Sequence, residues 1–505
     1  MLDAMEPWMP GSHVDILIVG TGFAGLGMAI KLREAGMNDF LLIEKGSDVG
    51  GTWRDNTYPG AACDIPSHLY SLSFEPKSDW SRMFPRQPEL FTYLRDIAEK
   101  HDLRQQTRFN TALREARWDE QRCLWLVTTD NGSTISARVL ISGMGALHYP
   151  SIPHLPGIEN FQGKAFHSAN WDRDYDLRGK NIAVIGSGAS AVQFVPQIAP
   201  DAAQLHLFQR TPSWIVPKLD RPFSEKEKSR FAKWPLYRAF FRRKLFWLHE
   251  IRVLAFLGNK RAQKAASHMA VSHLKRQIKD PVLRAKVTPD YVVGCKRVLI
   301  SNDYFPALTR PNVAVVTEGV AEVRAHSIVD KAGVERPIDT IIYGTGFQVT
   351  DAMTRVRLTG RRGIDLNAHW AKTGMQAYKG INVSNFPNFF MLLGPNTGLG
   401  HNSVVIMIEA QIRYVMDCLT KMRAANVTAI DIPAQQEQKF VDDIQGKLAG
   451  TVWLKGGCKS WYLDENGRNS TIWPGSTISY RRATKQADLA AYELIRSNAS
   501  TPAAG

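Results

Sequence analysis

The chain has 505 residues, of which 44% are hydrophobic and 22% charged, and a net charge of +15. This composition is typical of an ordinary globular protein, and the chain is too long for one compact core, so we expect two or three domains. We find no signal-peptide core and no run of about 18 apolar residues, so we expect a soluble, cytoplasmic protein without an integral membrane segment. The five cysteines are scattered and never spaced C-x-x-C. We therefore expect reduced thiols, with no disulfide framework, redox dithiol or metal site.

The amino-terminal part predicts a strand, a glycine turn and a helix. The apolar residues 14–19 are followed at once by Gly20-Thr-Gly22-Phe23-Ala-Gly25 and then by a helical stretch. These glycines permit the turn, the approach of a pyrophosphate and close packing of helix on strand. A second apolar run, Phe40–Ile43, is followed directly by Glu44, whose carboxylate can accept hydrogen bonds from ribose hydroxyls. The segment predicts a dinucleotide site that suits FAD.

The same pattern recurs in the middle of the chain. The strand Asn181–Ile185 leads into Gly186-Ser187-Gly188-Ala-Ser190, then a helix to about residue 198 and a strand Gln204–Phe208. Here Gln209-Arg210-Thr211 stand where an acid would read ribose, and Arg210 with Thr211 could hold the 2′-phosphate of NADP. Arg210 could instead be a surface residue on a turn, but the missing acid favours NADP. Two such units suggest one permanently bound and one exchanging nucleotide.

Nearly all of the net charge lies in one segment that follows the second glycine turn. Residues 218–286 contain 19 basic and 5 acidic side chains. Apolar residues recur there at helical spacing, which predicts an amphipathic helix: Tyr237, Phe240, Phe241, Leu245, Leu248, Ile251 and Leu254. We favour a helical subdomain that packs this stripe onto the rest of the protein. Weak peripheral membrane contact is the alternative, and no fold for nucleic-acid binding is recognised.

Residues 161–172 read F-x-G-x-x-x-H-x-x-x-W-D, with His167 and Trp171 at two of the fixed positions. This run resembles the fingerprint of the type I flavin-dependent Baeyer-Villiger monooxygenases. Residues 50–64, from the glycine pair to Asp64, resemble a second signature of that family. The resemblance extends over about residues 15–473. It implies an α/β fold with two Rossmann-like dinucleotide-binding domains, for FAD and NADP, and a helical insertion.

The resemblance also implies a domain order. The FAD-binding domain would comprise residues 1–145 and 341–505, and the NADP-binding domain residues 146–215 and 289–340, with the basic helical insertion at 216–288. Residues 338–347 and 394–403 resemble the elements that return the chain to the flavin. His167 and Trp171 would belong to a hinge between the two cofactors.

The resemblance assigns roles to individual residues as well. Arg297 would be the active-site arginine, because an always-charged guanidinium can stabilise a peroxide anion, and Asp64 would orient it. Trp453, Trp461, Tyr462 and Trp473 would line a substrate pocket or belong to the core. The implied cofactor contacts are Gly20, Gly22, Phe23, Gly25, Glu44, Lys45, Gly51, Thr52, Trp53, Asp64 and Tyr70 for FAD, Gly186, Ser187, Gly188, Ser190, Arg210, Thr211 and Lys296 for NADP, and Asn396 in the returning flavin element.

The implied activity is NADPH- and dioxygen-dependent conversion of a ketone to an ester or lactone through a flavin peroxide anion, with sulfoxidation as a side activity. The alternatives are a monooxygenase that oxidises nitrogen or sulfur and a catalytically idle flavoprotein that serves as a binding module. A flavin disulfide reductase is disfavoured because a C-x-x-C dithiol is lacking. Residues 456–469 look more like the aryl-ketone branch, typified by 4-hydroxyacetophenone monooxygenase. We expect a monomer or a homodimer.

Overall fold

The computed structural model describes residues 12–348, 355–458, 460–464 and 466–496. The strands of the described residues are β1 Ser12–Val19, β2 Phe40–Ile43, β3 Thr107–Arg108, β4 Leu113–Asp119, β5 Leu124–Thr129, β6 Thr134–Ser142, β7 Lys164–His167, β8 Asn181–Ile185, β9 Gln204–Phe208, β10 Ile215–Val216, β11 Leu299–Ile300, β12 Val313–Val316, β13 Val320–Val323, β14 Ser327–Asp330, β15 Glu335–Pro337, β16 Thr340–Tyr343, β17 Arg357–Thr359, β18 Phe389–Met391, β19 Ala429–Asp431 and β20 Glu493–Ile495. The α-helices are α1 Phe23–Glu34, α2 Thr52–Asp55, α3 Gln87–Lys100, α4 Ala189–Ile198, α5 Glu225–Lys233, α6 Pro235–Glu250, α7 Val253–Phe256, α8 Lys260–Gln277, α9 Pro281–Lys286, α10 Tyr304–Leu308, α11 Leu366–Thr373, α12 Val404–Ala424, α13 Ala434–Leu448, α14 Val452–Lys455 and α15 Thr477–Ala483.

The first sheet is built around β1. Its strand order is β17-β4-β5-β6-β1-β2-β3, with β18 also paired to β6. β1 lies parallel to both β2 and β6, and successive residues of β1 enter two different hydrophobic cores, Ile16 and Ile18 one core and Leu17 and Val19 the other. Burial on both faces explains why the last four residues of β1, Ile16 to Val19, are apolar without alternation.

The second sheet has the strand order β12-β9-β8-β16-β7, and all of its pairings are parallel. The helices α4 and α10 contribute Phe194, Val195, Phe305 and Leu308 to its core. The expected α/β fold with two Rossmann-like sheets is confirmed. The boundary predicted at residue 340 falls at the first residue of β16, so this sheet takes in residues up to Tyr343.

The F-x-G-x-x-x-H-x-x-x-W-D run forms the edge strand of the second sheet and the turn after it. A methyl group at Gly163 would lie 2.3 Å from the carbonyl oxygen of Asp339, so this position requires glycine. The Trp171 ring packs against Phe166 and Phe194, with centroid distances of 5.2 and 5.3 Å. The glycine and the tryptophan of the run therefore fix β7 and its turn onto the second domain.

The helical insertion consists of α5 to α9 and contacts both halves of the protein. Phe231 of α5 and Leu245 of α6 are buried in the core of the first domain, while Leu274 of α8 and Ile278 pack in the core of the second. None of the described helices is both long and apolar enough to cross a membrane.

The packing predicted for the amphipathic stripe is wrong for most of its members. Of the seven stripe residues only Leu245 is buried and Phe241 half-buried, while five are exposed: Tyr237, Phe240, Leu248, Ile251 and Leu254. The helix also breaks after α6, and α7 begins at Val253. The stripe was drawn from spacing alone, whereas the polar contacts of Arg242 and Glu250 fix which side of the helix faces the protein.

The expectation of five reduced thiols is also wrong in this structure. Cys295 and Cys458 form a disulfide, with Cα atoms 6.1 Å apart. The two cysteines are separated by 163 residues, so no local spacing signals the pair, and the fold alone brings them together. Cys63, Cys123 and Cys418 are buried free thiols.

The disulfide predicts a difference in thiol count. Protein purified without reductant and then unfolded in denaturant should expose three alkylatable thiols, and the same protein should expose five after reduction. Intact-mass spectrometry after alkylation measures both numbers, with a Cys458→Ser variant as the control that gains one reactive thiol without reductant. Five thiols before reduction would contradict the pairing.

Candidate active site at two dinucleotide clefts

The first cleft opens where the chain leaves β1. Gly20 has a positive φ of 97°. A methyl group at Gly25 would lie 1.8 Å from the carbonyl oxygen of Gly20, which forces glycine at this crossing of turn and helix. Gly22 precedes α1, and no side chain caps this helix. The first backbone amides of α1 therefore remain available to an anion, as in a pyrophosphate site.

A second glycine pair, Gly50 and Gly51, packs against the first glycine turn at the wall of the cleft. A methyl group at Gly51 would lie 3.3 Å from the Cα atom of Gly22. Gly51 has a positive φ of 50° and precedes the short helix α2, which carries Thr52 and Trp53. The two backbones are therefore nearly in contact, and the absence of side chains at both positions leaves their peptide groups exposed to the cleft that both residues line.

Glu44 is buried at the carboxyl end of β2. Its carboxylate accepts hydrogen bonds from the Thr21 amide at 3.0 Å and hydroxyl at 2.7 Å, from the Gly46 amide at 2.8 Å and from Arg54 Nη1 at 2.9 Å. Burial raises the pKa of the Glu44 carboxyl, but the charge of Arg54 and these hydrogen bonds outweigh it and lower the pKa below its ordinary value. Glu44 is therefore an ionised acceptor at the position predicted to read ribose.

The first cleft encloses about 1000 Å³, including space open to solvent. Of the residues predicted for FAD, those that line the cleft are Gly20, Gly22, Phe23, Glu44, Lys45, Gly51, Thr52, Trp53 and Tyr70. Gly25 lies behind the turn as a packing position and Asp64 lies outside this lining. The glycines, the open helix amides and the acid fit the pyrophosphate and ribose of FAD.

Several lining residues were missed from the sequence. Arg54 is bonded to Glu44, and His148 and Tyr149 stand at the wall beyond β6. A signal for Arg54 existed, because it follows Trp53 in the glycine-rich segment that resembles a family signature. Residues 148 and 149 belong to no periodic element, so only the fold places them here.

The surface beside the second glycine turn, Gly186 to Gly188, is called the second cleft, and its backbone repeats the glycine geometry of the first. Gly186 has a φ of 100°, and a methyl group there would lie 2.6 Å from the carbonyl oxygen of Gly344. Gly188 precedes α4, which again begins without a side-chain cap. The Ser187 hydroxyl donates to the carbonyl of Thr211 at 3.4 Å, which brings the glycine turn against the segment after β9. The turn and the first amides of α4 fit the pyrophosphate of a second dinucleotide.

Two cations meet at this second cleft. Burial and the nearby charge of Arg210 lower the pKa of Lys296. Arg210 is exposed and Lys296 half-buried, so a ligand can reach both. Like charges held together repel each other, and a doubly charged phosphate between them would relieve that repulsion. The pair fits a 2′-phosphate. Lys296 was predicted from the family resemblance alone, and it lies near Arg210 and adds a second positive charge.

Arg297 and Asp64 form an ion pair across 233 residues of sequence. Arg297 Nε donates to Asp64 Oδ2 at 2.9 Å, and Nη2 donates to the same oxygen. About a third of the Arg297 side chain and a quarter of Asp64 remain exposed. The charge of Asp64 raises the pKa of Arg297 above its ordinary value, so the guanidinium stays charged at any working pH.

Tyr70 connects this ion pair to the first cleft. Its hydroxyl accepts a hydrogen bond from Trp53 Nε1 at 3.3 Å, and both residues line the cleft. Burial raises the pKa of the Tyr70 phenol, and the charges of Asp64 and Arg297 act on it in opposite directions. The arginine and the aspartate predicted to work together are therefore brought together at the border of the FAD cleft.

The segment before Asp64 is clamped onto the second domain. The Tyr58 hydroxyl donates to Gln193 Oε1 at 3.0 Å, and Gln193 Nε2 donates to the carbonyl of Ala62 at 2.9 Å. Gln193 belongs to α4, the helix that starts at the second glycine turn. Ser190 of the same helix lies close enough to Tyr58 to lower the pKa of its phenol. Ser190 thus lies beside the first domain, and the placement of Asp64 depends on the second domain.

His167 ends β7 and is buried. Its Nδ1 accepts a hydrogen bond from the Ala169 amide at 3.0 Å, and its ring lies edge-on to Phe347 with a centroid distance of 5.8 Å. Burial lowers the pKa of His167, partly offset by the nearby Gly346 backbone, so the ring is neutral near pH 7. The hinge role of His167 and Trp171 stays a prediction, and the contact with the returning segment is where a hinge would act.

The carboxyl-terminal residues divide into core and pocket candidates. Asn396 is buried, and its side-chain amide donates to the carbonyls of Asn469 and Ile472, so it holds the backbone in place and does not line the first cleft. Trp453 stacks in the core, and Trp473 is buried. Tyr462 is buried close enough to Arg297 to influence the pKa of that residue, whereas Trp461 is exposed.

Known proteins resemble this chain over most of its length. The family model described as pyridine nucleotide-disulphide oxidoreductase matches residues 17–224. A Baeyer-Villiger monooxygenase of Pseudomonas aeruginosa is 51% identical over 483 residues, which covers 95% of this chain and 92% of that protein. A Baeyer-Villiger monooxygenase of Streptomyces coelicolor is 44% identical, covering 96% of this chain and 93% of that protein.

A solved structure of an oxidised steroid monooxygenase bound to NADP is similar over 96% of this chain and 100% of that one, with a TM-score of 0.85 and 28% identity. A closed structure of cyclohexanone monooxygenase matches with the same coverage and TM-score and 27% identity. These relatives extend over both clefts, the insertion and the carboxyl-terminal part. The chain belongs to the flavin-dependent Baeyer-Villiger monooxygenase family.

Proposed function

We propose that this protein uses NADPH and dioxygen to convert ketones into esters or lactones. The observation that carries the proposal is the Arg297–Asp64 ion pair, which lies between a cleft fitted to FAD and a cleft fitted to NADP. When bound, the flavin supplies the oxygen-activating chemistry and the nicotinamide supplies the hydride. The residues of the chain position and enclose the reacting groups and place a positive charge beside them.

The residues of the first cleft bind and orient the flavin nucleotide. The α1 amides and the facing glycines Gly22 and Gly51 hold the pyrophosphate, and the ionised Glu44 accepts from ribose hydroxyls. Trp53 and Tyr70 hold one wall together through their hydrogen bond. The other cleft binds the exchanging nucleotide, with Arg210, Thr211 and Lys296 around its 2′-phosphate.

Arg297 provides a permanent positive charge at the border of the first cleft. A fixed cation in a partly desolvated site stabilises negative charge on oxygen more effectively than water does. Asp64 holds the guanidinium in one orientation through two hydrogen bonds to a single carboxylate oxygen. The polarised ketone and the oxygen that attacks it would both meet this charge, which favours ketone oxidation over oxidation of nitrogen or sulfur, with sulfoxidation as a side activity.

We further propose that the preferred substrates are aryl ketones. Tyr462 lies next to Arg297 and is buried, so it offers an aromatic surface close to the reacting groups, and it belongs to the segment that resembles the aryl-ketone branch. A flavin disulfide reductase remains disfavoured, since no cysteine occurs in the described lining of the first cleft.

A ketone panel tests the reaction and the substrate class together. Ketone-dependent NADPH consumption with ester or lactone formation, followed by mass spectrometry, is the expected result, with aryl ketones giving higher kcat/KM than cyclohexanone. Equal or better turnover of cyclic ketones would refute only the aryl-ketone assignment. NADPH oxidation that yields hydrogen peroxide and no ester from any ketone would refute the reaction.

Replacement of Arg297 tests its role. Arg297→Ala should lower the rate of ester formation on the order of 100-fold or more, because it removes a charge that stabilises oxygen anions, while anaerobic reduction of the flavin by NADPH stays measurable in stopped flow. Arg297→Lys should restore little, since an ammonium cannot reproduce the two-bond contact with Asp64. Arg114→Ala, at an exposed site on β4, is the matched control. Ester formation by Arg297→Ala at a normal rate would show that the role is misassigned.

The charge pair at the second cleft predicts coenzyme selectivity. Arg210→Ala should raise KM for NADPH by about 10- to 100-fold, the loss expected for one charge-assisted hydrogen bond to phosphate, with little change in kcat and no increase of KM for NADH. Steady-state kinetics with both coenzymes measure the ratio. A parallel rise for NADH would mean that Arg210 supports the fold of the cleft and does not read the phosphate.

A further inference from the structure

The outer side of α6 is apolar. Leu236 is 86% exposed, Phe240 66% and Ile251 64%, and Trp247 and Leu248 are half exposed. At 100° per residue, Leu236, Phe240, Trp247 and Ile251 fall within an arc of about 60°. We call this set, extended by Tyr237 and Leu248 on the same side, the outward face of α6. A surface helix of a protein that stays in water normally shows polar residues there.

The outward face cannot simply turn inward, because the opposite side of α6 is tied to the protein. Arg242 donates to the carbonyl of Ser71 at 3.0 Å and also to that of His68. Glu250, at the end of α6, is buried and accepts hydrogen bonds from Asn402 at 2.7 Å and Thr477 at 2.6 Å. Rotation that buried the outward face would break these contacts and leave charges unpaired in the interior. The helix is therefore held with its apolar side in solvent.

The surroundings of the outward face are strongly basic. Residues 228–279 contain 14 lysines and arginines and a single acid, Glu250, which is buried. Lys244 lies within the outward face, and Arg243 lies beside it; both are exposed. Exposed cations on neighbouring elements continue the charge: Arg230, Lys233, Arg252, Lys260, Arg261 and Lys264.

Apolar aromatic side chains surrounded by cations match one partner in particular. An anionic bilayer accepts Trp, Tyr, Phe and Leu side chains at the level of its headgroups and attracts the basic rim. A second copy of this chain would bring two positively charged faces together, and like charges oppose that contact. We propose that the outward face of α6 docks this protein on an anionic lipid surface, with the helix in the plane of the membrane. This proposal does not depend on the reaction.

Vesicle flotation with the FAD-loaded protein tests the proposal. Vesicles of phosphatidylcholine with about 30% phosphatidylglycerol should bind the protein at least about tenfold more tightly than pure phosphatidylcholine, and the difference should shrink as salt rises. The double variant Phe240→Ser with Trp247→Ser should lose at least about tenfold in affinity for the anionic vesicles. The charge variant Arg243→Glu with Lys244→Glu should lose binding and salt dependence together.

Val334→Ser is the matched control, because Val334 is an exposed apolar residue on a different element, between β14 and β15. Unchanged melting temperature and NADPH-dependent flavin reduction confirm that the variants are folded. Equal binding to neutral and anionic vesicles, no binding at all, or undiminished binding by the double variant would each overturn the proposal. So would sedimentation velocity showing a dimer of the parent protein that the double variant converts to monomer without any vesicle binding, since the face would then join two copies.

Discussion

The contact between Arg297 and Asp64 joins segments that are 233 residues apart in the sequence and belong to different domains. Asp64 follows a glycine-rich segment of the first domain that is clamped onto α4 by Tyr58 and Gln193. Arg297 is supplied from the second half of the chain, just before β11. Each side chain is partly exposed, and the two are held together by two hydrogen bonds. The two dinucleotide domains therefore share one electrostatic contact at the place where their cofactors would meet.

The clefts around this ion pair could be read from the sequence because they depend on local backbone geometry. β2, β8 and β9 have the predicted bounds, and the strand predicted at residues 14–19 lies within β1. The glycines at positions 20, 25 and 186 stand where a methyl group would strike a carbonyl oxygen. Such constraints act within a few residues, so a short pattern carries them.

Contacts between distant segments are harder to predict from the sequence. The periodicity of residues 237–254 correctly indicated a helix for most of its length, yet an apolar stripe does not state which side faces the protein. The orientation of the helix is set by Arg242 and Glu250, whose hydrogen-bond partners lie more than a hundred residues away in the sequence. The pairing of Arg297 with Asp64 was reached through a family resemblance, because spacing carries no information over 233 residues. A motif can also mislead. The motif around Asn396 predicted a cofactor contact, but its side-chain amide donates a hydrogen bond to the backbone carbonyl of Asn469.

The disulfide has a practical consequence for work on this enzyme. Cys295 immediately precedes Lys296 and Arg297, so the bond fastens the loop that carries both cations to the segment around Cys458. A thiol reductant that reaches this bond would release the loop and leave every other residue unchanged. Preparations in which the bond is intact and preparations in which it is reduced are therefore two chemically distinct proteins, and their kinetic constants are comparable only once the state of this bond is known.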